Sequence, residues 1–430
     1  MGNATQHNAW GGKVPARFMP RQGRGGIRVG RVLLALTVSS LVPIAGFSRQ
    51  QRNGGNDALA SLQELVRVGA DGSLRDELAA AEALLQLHAP QVAAARLLNV
   101  IRRHPESREA WTVLVQAQSE NGAFTTAAAT LHRALKRWPG DRDLLYQQAT
   151  VAITLGEEEE AREILQRLTR QWPQFAAAQY SLAVVENDRG SYSIALRHLD
   201  AAQRIVGVSA QTALLRGLLL EQLHHLTEAE GALRDAVRLA PDRIAAHVAL
   251  ARVLAREGKA GSSAQERQHV AELSATRSGS EKRRAQVAAL TQQGEQAALA
   301  NQLPAALTTY NAALDLDSSD VASHLGKGKV LYSIRHFPEA RQEFQAALQS
   351  DPVNPEAHYL LGLVSERLHD TTTSRAEYAL ALALHPGDAE SALALIRLLR
   401  AAGQEQAAMR VLAAARAANP SDPELAAAKP

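Results

Sequence analysis

The sequence predicts an all-α solenoid, an array of antiparallel helix pairs that repeats every 34 residues. Three columns of residues predict it: a proline column, a column of small residues, and a column of glycine or other turn-forming residues. Aromatic residues make up only 4% of the 430 residues, which favours thin, layered packing over one compact core. No run of β-branched and aromatic residues bounded by turn signals follows residue 50, so we expect no strands.

The proline column marks the end of each unit. The 34-residue step from Pro105 gives Pro139, Pro173, Gly207 and Pro241, and after an insertion the register resumes at Ser318, Pro352, Pro386 and Pro420. Proline lacks the amide hydrogen that a helix interior needs, and it restricts the residue before it. We therefore expect the second helix of each unit to stop before this position.

Two further columns define the helix pair itself. Twelve residues before the proline column, every position is small: Ala93, Ala127, Ala161, Ala195, Ala229, Ser263, Ala306, Ala340, Ser374 and Ala408. Five residues before these lie His88, Gly122, Gly156, Gly190, His224, Gly258, Asn301, Arg335, His369 and Gly403. The first column predicts a close crossing of two helices, and the second predicts a left-handed residue that ends helix A.

The pattern resembles the tetratricopeptide repeat family. Trp111, Leu114, Ala127, Leu131, Ala134 and Pro139 match its motif in one unit; Gly217, Gly294, Gly328 and Gly362 occupy its helix A glycine position, and Tyr310 its helix B aromatic position. The resemblance covers residues 74–422 as ten units, which start at residues 74, 108, 142, 176, 210, 244, 287, 321, 355 and 389. It implies a right-handed α-α superhelix of antiparallel helix pairs.

The unit starts divide the chain into six segments. Residues 1–52 are a basic leader, and residues 53–73 a linker with an N-terminal capping helix. Six units over residues 74–277 are followed by a nine-residue insertion at 278–286, then by four units over residues 287–422 and a tail at 423–430. The insertion is polar and is either a hinge or an extension of helix B.

The leader predicts export. Its basic residues up to Arg31 precede an uncharged, largely apolar run at residues 32–47, the arrangement of a secretory signal. The alternatives are an uncleaved inner-membrane anchor formed by the same run, and a chance match. We expect the body to lie in the periplasm or cell envelope, since the basic residues that precede the apolar run stay on the cytoplasmic side of the membrane.

Composition argues against several classes of function. The chain has no cysteine, which excludes disulfides, thiolate catalysis and cysteine-based zinc sites. Residues 1–52 hold eight basic residues and no acid, so removing them from the formal net charge of +3 leaves −5 for residues 53–430. A mildly acidic body does not provide the clustered positive charge that nucleic-acid binding requires.

No catalytic or metal-binding arrangement stands out. His224 and His225 lie near Glu228 and Glu230, but His224 occupies the turn column, where histidine tolerates the left-handed region. The run Gly326-Lys327-Gly328-Lys329 lacks the spacing and the hydroxyl residue of a phosphate loop. We therefore predict no enzyme activity, no metal and no cofactor.

What remains as a site is the groove of the superhelix. In the family that the chain resembles, the A helices line the concave face, and their positions two, five, nine and twelve meet ligands. In the first four units these positions give Glu82, Glu109, Thr112, Gln116, Asp143, Tyr146, Thr150, Tyr180 and Asn187. In later units they include Arg252, Lys329, Tyr359, Arg397 and Arg400.

From these positions we predict a groove for protein segments. The interface residues are Tyr146, Tyr180, Arg252, Lys329, Tyr359, Arg397 and Arg400, and the basic C-terminal end favours a segment with some acidic character. The expected function is a non-catalytic envelope scaffold whose partners are protein or peptide segments, with no nucleic acid and with membrane contact only through the leader. The alternatives are a subunit of an export or surface-assembly machine, or a regulatory arm of a separate enzyme.

The negative charge of the body gives a first prediction. Purified residues 53–430 should not bind duplex DNA at physiological salt, because the net charge of this segment is −5. Fluorescence anisotropy with a labelled duplex, at two salt concentrations, measures it. Micromolar binding that weakens as the salt concentration rises would contradict this prediction and support a function in nucleic-acid binding.

Overall fold

The computed structural model describes residues 73–428, and all of its regular structure is helical. The first eleven helices are α1 (Leu74–Gln86), α2 (Pro90–Arg103), α3 (Arg108–Glu120), α4 (Phe124–Arg137), α5 (Arg142–Leu155), α6 (Glu158–Gln171), α7 (Ala176–Asp188), α8 (Tyr192–Val206), α9 (Ala210–Gln222), α10 (Leu226–Leu239) and α11 (Ile244–Arg256). The remaining nine are α12 (Ala260–Leu299), α13 (Leu303–Leu316), α14 (Val321–Ser333), α15 (Phe337–Ser350), α16 (Pro355–Arg367), α17 (Thr371–Leu384), α18 (Ala389–Ala401), α19 (Glu405–Ala418) and α20 (Pro423–Ala427).

The helix starts confirm the predicted repeat. Nine of the ten predicted unit starts are the first residue of an A helix, and the tenth, residue 287, lies inside α12. Most A helices begin with a polar cap; Ser107, Asp141 and Asn354, for example, accept hydrogen bonds from backbone amides of the first turn. The leader and the predicted N-terminal capping helix lie outside the described residues.

The turn column has the predicted left-handed backbone in all ten units. Its φ values run from 56° at Asn301 to 85° at Gly156. In the second unit the Gly122 amide donates to Ser119 O and the Ala123 amide to Gln118 O, at 3.0 and 2.8 Å. These bonds satisfy the last carbonyls of helix A and reverse the chain in three residues.

The small column lies at the crossing of helices A and B. All ten of its residues are at most 1% exposed. Its two serines satisfy their hydroxyls inside the crossing: Ser263 donates to Ala251 O at 2.8 Å, and Ser374 donates to Gly362 O at 2.9 Å. A longer side chain would separate the two helices.

A second contact between helices A and B pairs a glycine of helix A with a large aromatic residue of helix B. A Cβ atom at Gly328 would lie 2.5 Å from the Phe344 ring, and one at Gly362 would lie 2.6 Å from the Tyr378 ring. Helix A must therefore be glycine where helix B presents a large aromatic ring. These rings are fully buried, which explains how a chain with few aromatic residues builds a core.

Hydrogen bonds tie several units to the loop that precedes them. Trp111 donates to Pro105 O at 3.1 Å, and in later units a histidine takes the same position. His324 lies 3.1 Å from Ser318 O through Nε2 and 2.7 Å from Glu343 through Nδ1. The Glu343 carboxylate raises the pKa of His324, since both ring nitrogens face acceptors and the charged form can donate to both.

Helix α12 joins the two groups of units without a break. Its 40 residues contain helix B of unit six, residues 278–286 and helix A of unit seven. From Ser274 to Gln286 every residue of it is exposed. The segment is polar on all sides, so it extends the helix across the place where packing on neighbouring helices is interrupted.

The last units fold back onto the first. Leu384 and Val353 belong to the hydrophobic cluster built mainly from units one to three, and Arg96 of α2 donates to Ala383 O at 3.5 Å. At the C-terminal side of the described residues, Leu425 of α20 is fully buried against the last unit. Arg416 donates a hydrogen bond to the Leu425 carbonyl oxygen at 2.8 Å. This short helix covers the apolar face of the tenth unit.

The helix crossing gives a second prediction. Ala161→Leu should lower the free energy of unfolding by about 1–3 kcal/mol, because the added atoms have no space at a fully buried crossing. Urea unfolding followed by circular dichroism measures the change. Ala95→Leu, at an exposed position of α2, is the control and should change stability by less than about 0.5 kcal/mol. Equal stabilities would contradict the assigned helix register.

Candidate functional site

The A helices line the inner side of the array. Along most of the chain, the A helices of successive units contact each other, as α1 contacts α3 and α3 contacts α5. Helices that approach each other in this way lie on the side with the tighter curvature. The A helices therefore form a shared concave surface within each group of units.

The concave surface of units one to four contains a cavity of about 620 Å³, a size typical of ligand sites. Three aromatic residues form much of its wall: Phe124, Tyr146 and Phe175. The Tyr146 and Phe175 rings meet edge to face with their centroids 5.1 Å apart. Four other residues at predicted groove positions also line it: Thr112, Gln116, Asp143 and Thr150.

The two tyrosines predicted for this end are both buried, at 6% and 3% exposed, but only Tyr146 lines the cavity. The Tyr146 hydroxyl lies 3.0 Å from Ser181 Oγ, which fixes the ring at the cavity wall. Tyr180 is 3% exposed, and this burial raises its pKa to about 12. Its ring is therefore part of the packing beneath the groove and presents little surface to a ligand.

Arg252 is bonded to a buried carboxylate of the preceding unit. Its Nε donates to Glu221 Oε1 at 2.6 Å, and a second guanidinium nitrogen bonds the other oxygen. Glu221 is 3% exposed, and Arg256 also approaches it, at 3.3 Å. Arg252 and Arg256 thus share one buried carboxylate, which reduces but does not cancel the positive charge at this point of the groove.

The other three basic residues also have acidic partners. Lys329 forms an ion pair with Glu356, Arg397 bonds both oxygens of Glu366 at 2.8 Å, and Arg400 lies 2.9 Å from Glu405. These pairs are exposed and each contributes little to stability. They do reduce the positive charge that the sequence places at this end of the groove.

Tyr359 and Arg397 are brought together at the C-terminal end. The half-buried Tyr359 ring lies 5.8 Å from the Tyr378 ring, whose hydroxyl donates to Glu366 at 3.1 Å, and Arg397 bonds the same glutamate. Burial and the negative charge of Glu390 raise the pKa of Tyr359 to about 12. Arg252 lies apart from this network, on the other side of α12.

Comparison with known proteins agrees with the architecture. One family model described as tetratricopeptide repeat matches residues 78–142, 291–352 and 325–389, and a second model with the same description matches residues 118–185 and 369–429. Together these matches cover more than half of the chain. The chain belongs to the tetratricopeptide repeat (TPR) family. No curated protein sequence matches it.

Parts of the TPR array are similar to solved structures. MamA from Desulfovibrio magneticus RS-1 is 22% identical, with a TM-score of 0.38, and the match covers 40% of this chain and 97% of that one. YrrB, described as a TPR protein with an unusual peptide-binding site, is 16% identical, with a TM-score of 0.29, and the match covers 54% of this chain and 96% of that one.

The TPR fold supports a protein-interaction scaffold, since TPR solenoids present extended concave surfaces for binding. Between residues 73 and 428, no three potential ligand residues are grouped so that they could hold a metal ion. No helix in that range is both long enough and apolar enough to cross a membrane.

Two aromatic residues of the cavity wall lie outside the predicted groove positions. Phe175 precedes helix A of unit four, and Phe124 begins helix B of unit two, so neither holds a groove position of helix A. An aromatic residue directly before a unit start was the only signal in the sequence that pointed to Phe175.

The buried pair gives a third prediction. Arg252→Ala should lower the free energy of unfolding by about 1–2 kcal/mol, because Glu221 loses a partner inside the fold and keeps only Arg256. Arg397→Ala removes an exposed pair from the same groove position and should cost about 0.5 kcal/mol or less. Chemical denaturation measures both. Adding Glu221→Gln to Arg252→Ala should restore part of the loss; equal losses for the two arginines would contradict the assignment.

Proposed function

We propose that this TPR protein is an exported, non-catalytic scaffold that binds segments of other proteins in its concave groove. The cavity lined by Phe124, Tyr146 and Phe175 carries the proposal. Aromatic side chains held by packing bind a partner at a low cost in conformational entropy, and they are enriched at binding hot spots. A cavity of about 620 Å³ takes large side chains of an extended or helical segment.

The place of action is part of the proposal. The basic and apolar leader supports export to the periplasm or envelope, either with cleavage or with residues 32–47 kept as an anchor. A subunit of an export or surface-assembly machine would use the same groove and would differ in its partner. A regulatory arm would require a separate enzyme as that partner.

Site-specific photo-crosslinking in the native cell tests the groove. Benzoylphenylalanine at Gln116 or Tyr359, both at groove positions, should give discrete crosslinked products in the envelope fraction. The matched controls are Arg133 and Arg167, which are exposed at the same helix B position of successive units. We expect no discrete product from these controls. Products from the controls alone would place the binding surface on the convex side and reject the proposal.

A further inference from the structure

Neighbouring A helices meet at a recurring pair of groove positions. Position nine of one unit and position two of the next are 27 residues apart, and Lys329 and Glu356 hold these positions in units eight and nine, where they form an ion pair. The equivalent residues in units one and two are Glu82 and Glu109, also 27 residues apart. Two carboxylates thus occupy the positions where units eight and nine place a cation and an anion.

This acidic pair lacks a cation. Neither Glu82 nor Glu109 forms an ion pair or a hydrogen bond with any residue between 73 and 428. Glu82 is partly buried, and its burial, together with the charge of Glu109, raises its pKa. The two like charges therefore repel each other across the groove.

The acidic pair lies next to the aromatic cavity. Leu85 is one helical turn beyond Glu82, and Thr112 one turn beyond Glu109; both line the cavity. Two more carboxylates, Glu120 and Asp143, line it, and no lysine or arginine does. Arg108 bonds Asp141 and Asp143, and Arg142 bonds Asp143 and lies over the Phe175 ring, whereas Glu120 is bonded only to the Gln116 amide. With Glu82 and Glu109 included, five carboxylates face two guanidinium groups, so the net charge of this region is negative.

We propose that the N-terminal groove binds a basic segment of a partner protein. A lysine or arginine of the segment lies between Glu82 and Glu109, and a large apolar side chain a few residues away enters the cavity beside Phe124, Tyr146 and Phe175. The cation pairs with both carboxylates and removes the repulsion between them. This proposal rests on the groove function above and specifies its ligand, which differs in charge from the acidic segment that the sequence suggested.

Peptide arrays test the proposal with the full chain. The probes are short synthetic peptides in matched pairs, each with one phenylalanine or leucine and with either arginines or glutamates at the same places. We expect the protein to retain the basic member of the pairs. Glu82→Gln with Glu109→Gln should weaken the affinity for the best basic peptide about tenfold, as measured by fluorescence anisotropy, and should reduce its dependence on salt.

A matched control separates this effect from general charge. Glu163→Gln with Glu228→Gln removes two exposed carboxylates from B helices and should leave the affinity unchanged. The thermal midpoint of the Glu82/Glu109 double variant should not fall, because the change removes a repulsion; weaker binding would then not reflect unfolding.

The outcomes are distinct for the two proposals. Preference for acidic peptides, or basic binding unaffected by the Glu82/Glu109 variant, overturns the ligand assignment but keeps the groove function if Tyr146→Ala weakens the binding. Failure of peptides of both classes to bind overturns both proposals.

Discussion

The close crossing of helices A and B at a small residue is the constraint on which the rest of the structure depends. Ala161 and its equivalents let the two backbones approach, and every residue in that column is buried. A crossing repeated at one spacing fixes the geometry of each pair, and stacked pairs then curve in one direction. The buried alanines and serines of this column therefore determine the shape of the groove. The side chains that line the groove do not.

The same constraint explains which parts the sequence could predict. Helix starts, left-handed turns and buried crossings depend on residues close together in the chain, so Gly156, His224 and Arg335 could all be assigned to turns from spacing alone. Groove charge depends on neighbouring units. Arg252 looked free in the sequence, but Glu221, 31 residues earlier, forms an ion pair with it. The continuation of α12 through residues 278–286 follows from a missing stop signal, since the proline column has Ala275 at the end of helix B of unit six.

The two ends of the groove differ in whether their charged side chains have partners. The cations of the later units are paired with carboxylates, whereas two carboxylates of the first units have no cation. Where Lys329 and Arg397 have acidic partners, a charged ligand must displace an existing bond before it gains a new one. At Glu82 and Glu109 no such bond has to break. We therefore expect a charged segment to bind mainly at Glu82 and Glu109, where the charges of the empty groove have no partner. The later units have more charged groove residues, but those residues are already paired.

The pair of Glu82 and Glu109 also links ligand binding to protonation. The pKa of Glu82 is raised in the folded chain, which means that its ionised carboxylate is less favourable there than in the unfolded chain. The free energy of unfolding therefore increases as the pH falls through this raised pKa. A bound cation stabilises the ionised form and relieves the same repulsion from Glu109. Protons and a basic segment thus compete for one site, and the affinity for the segment must decrease as Glu82 becomes protonated.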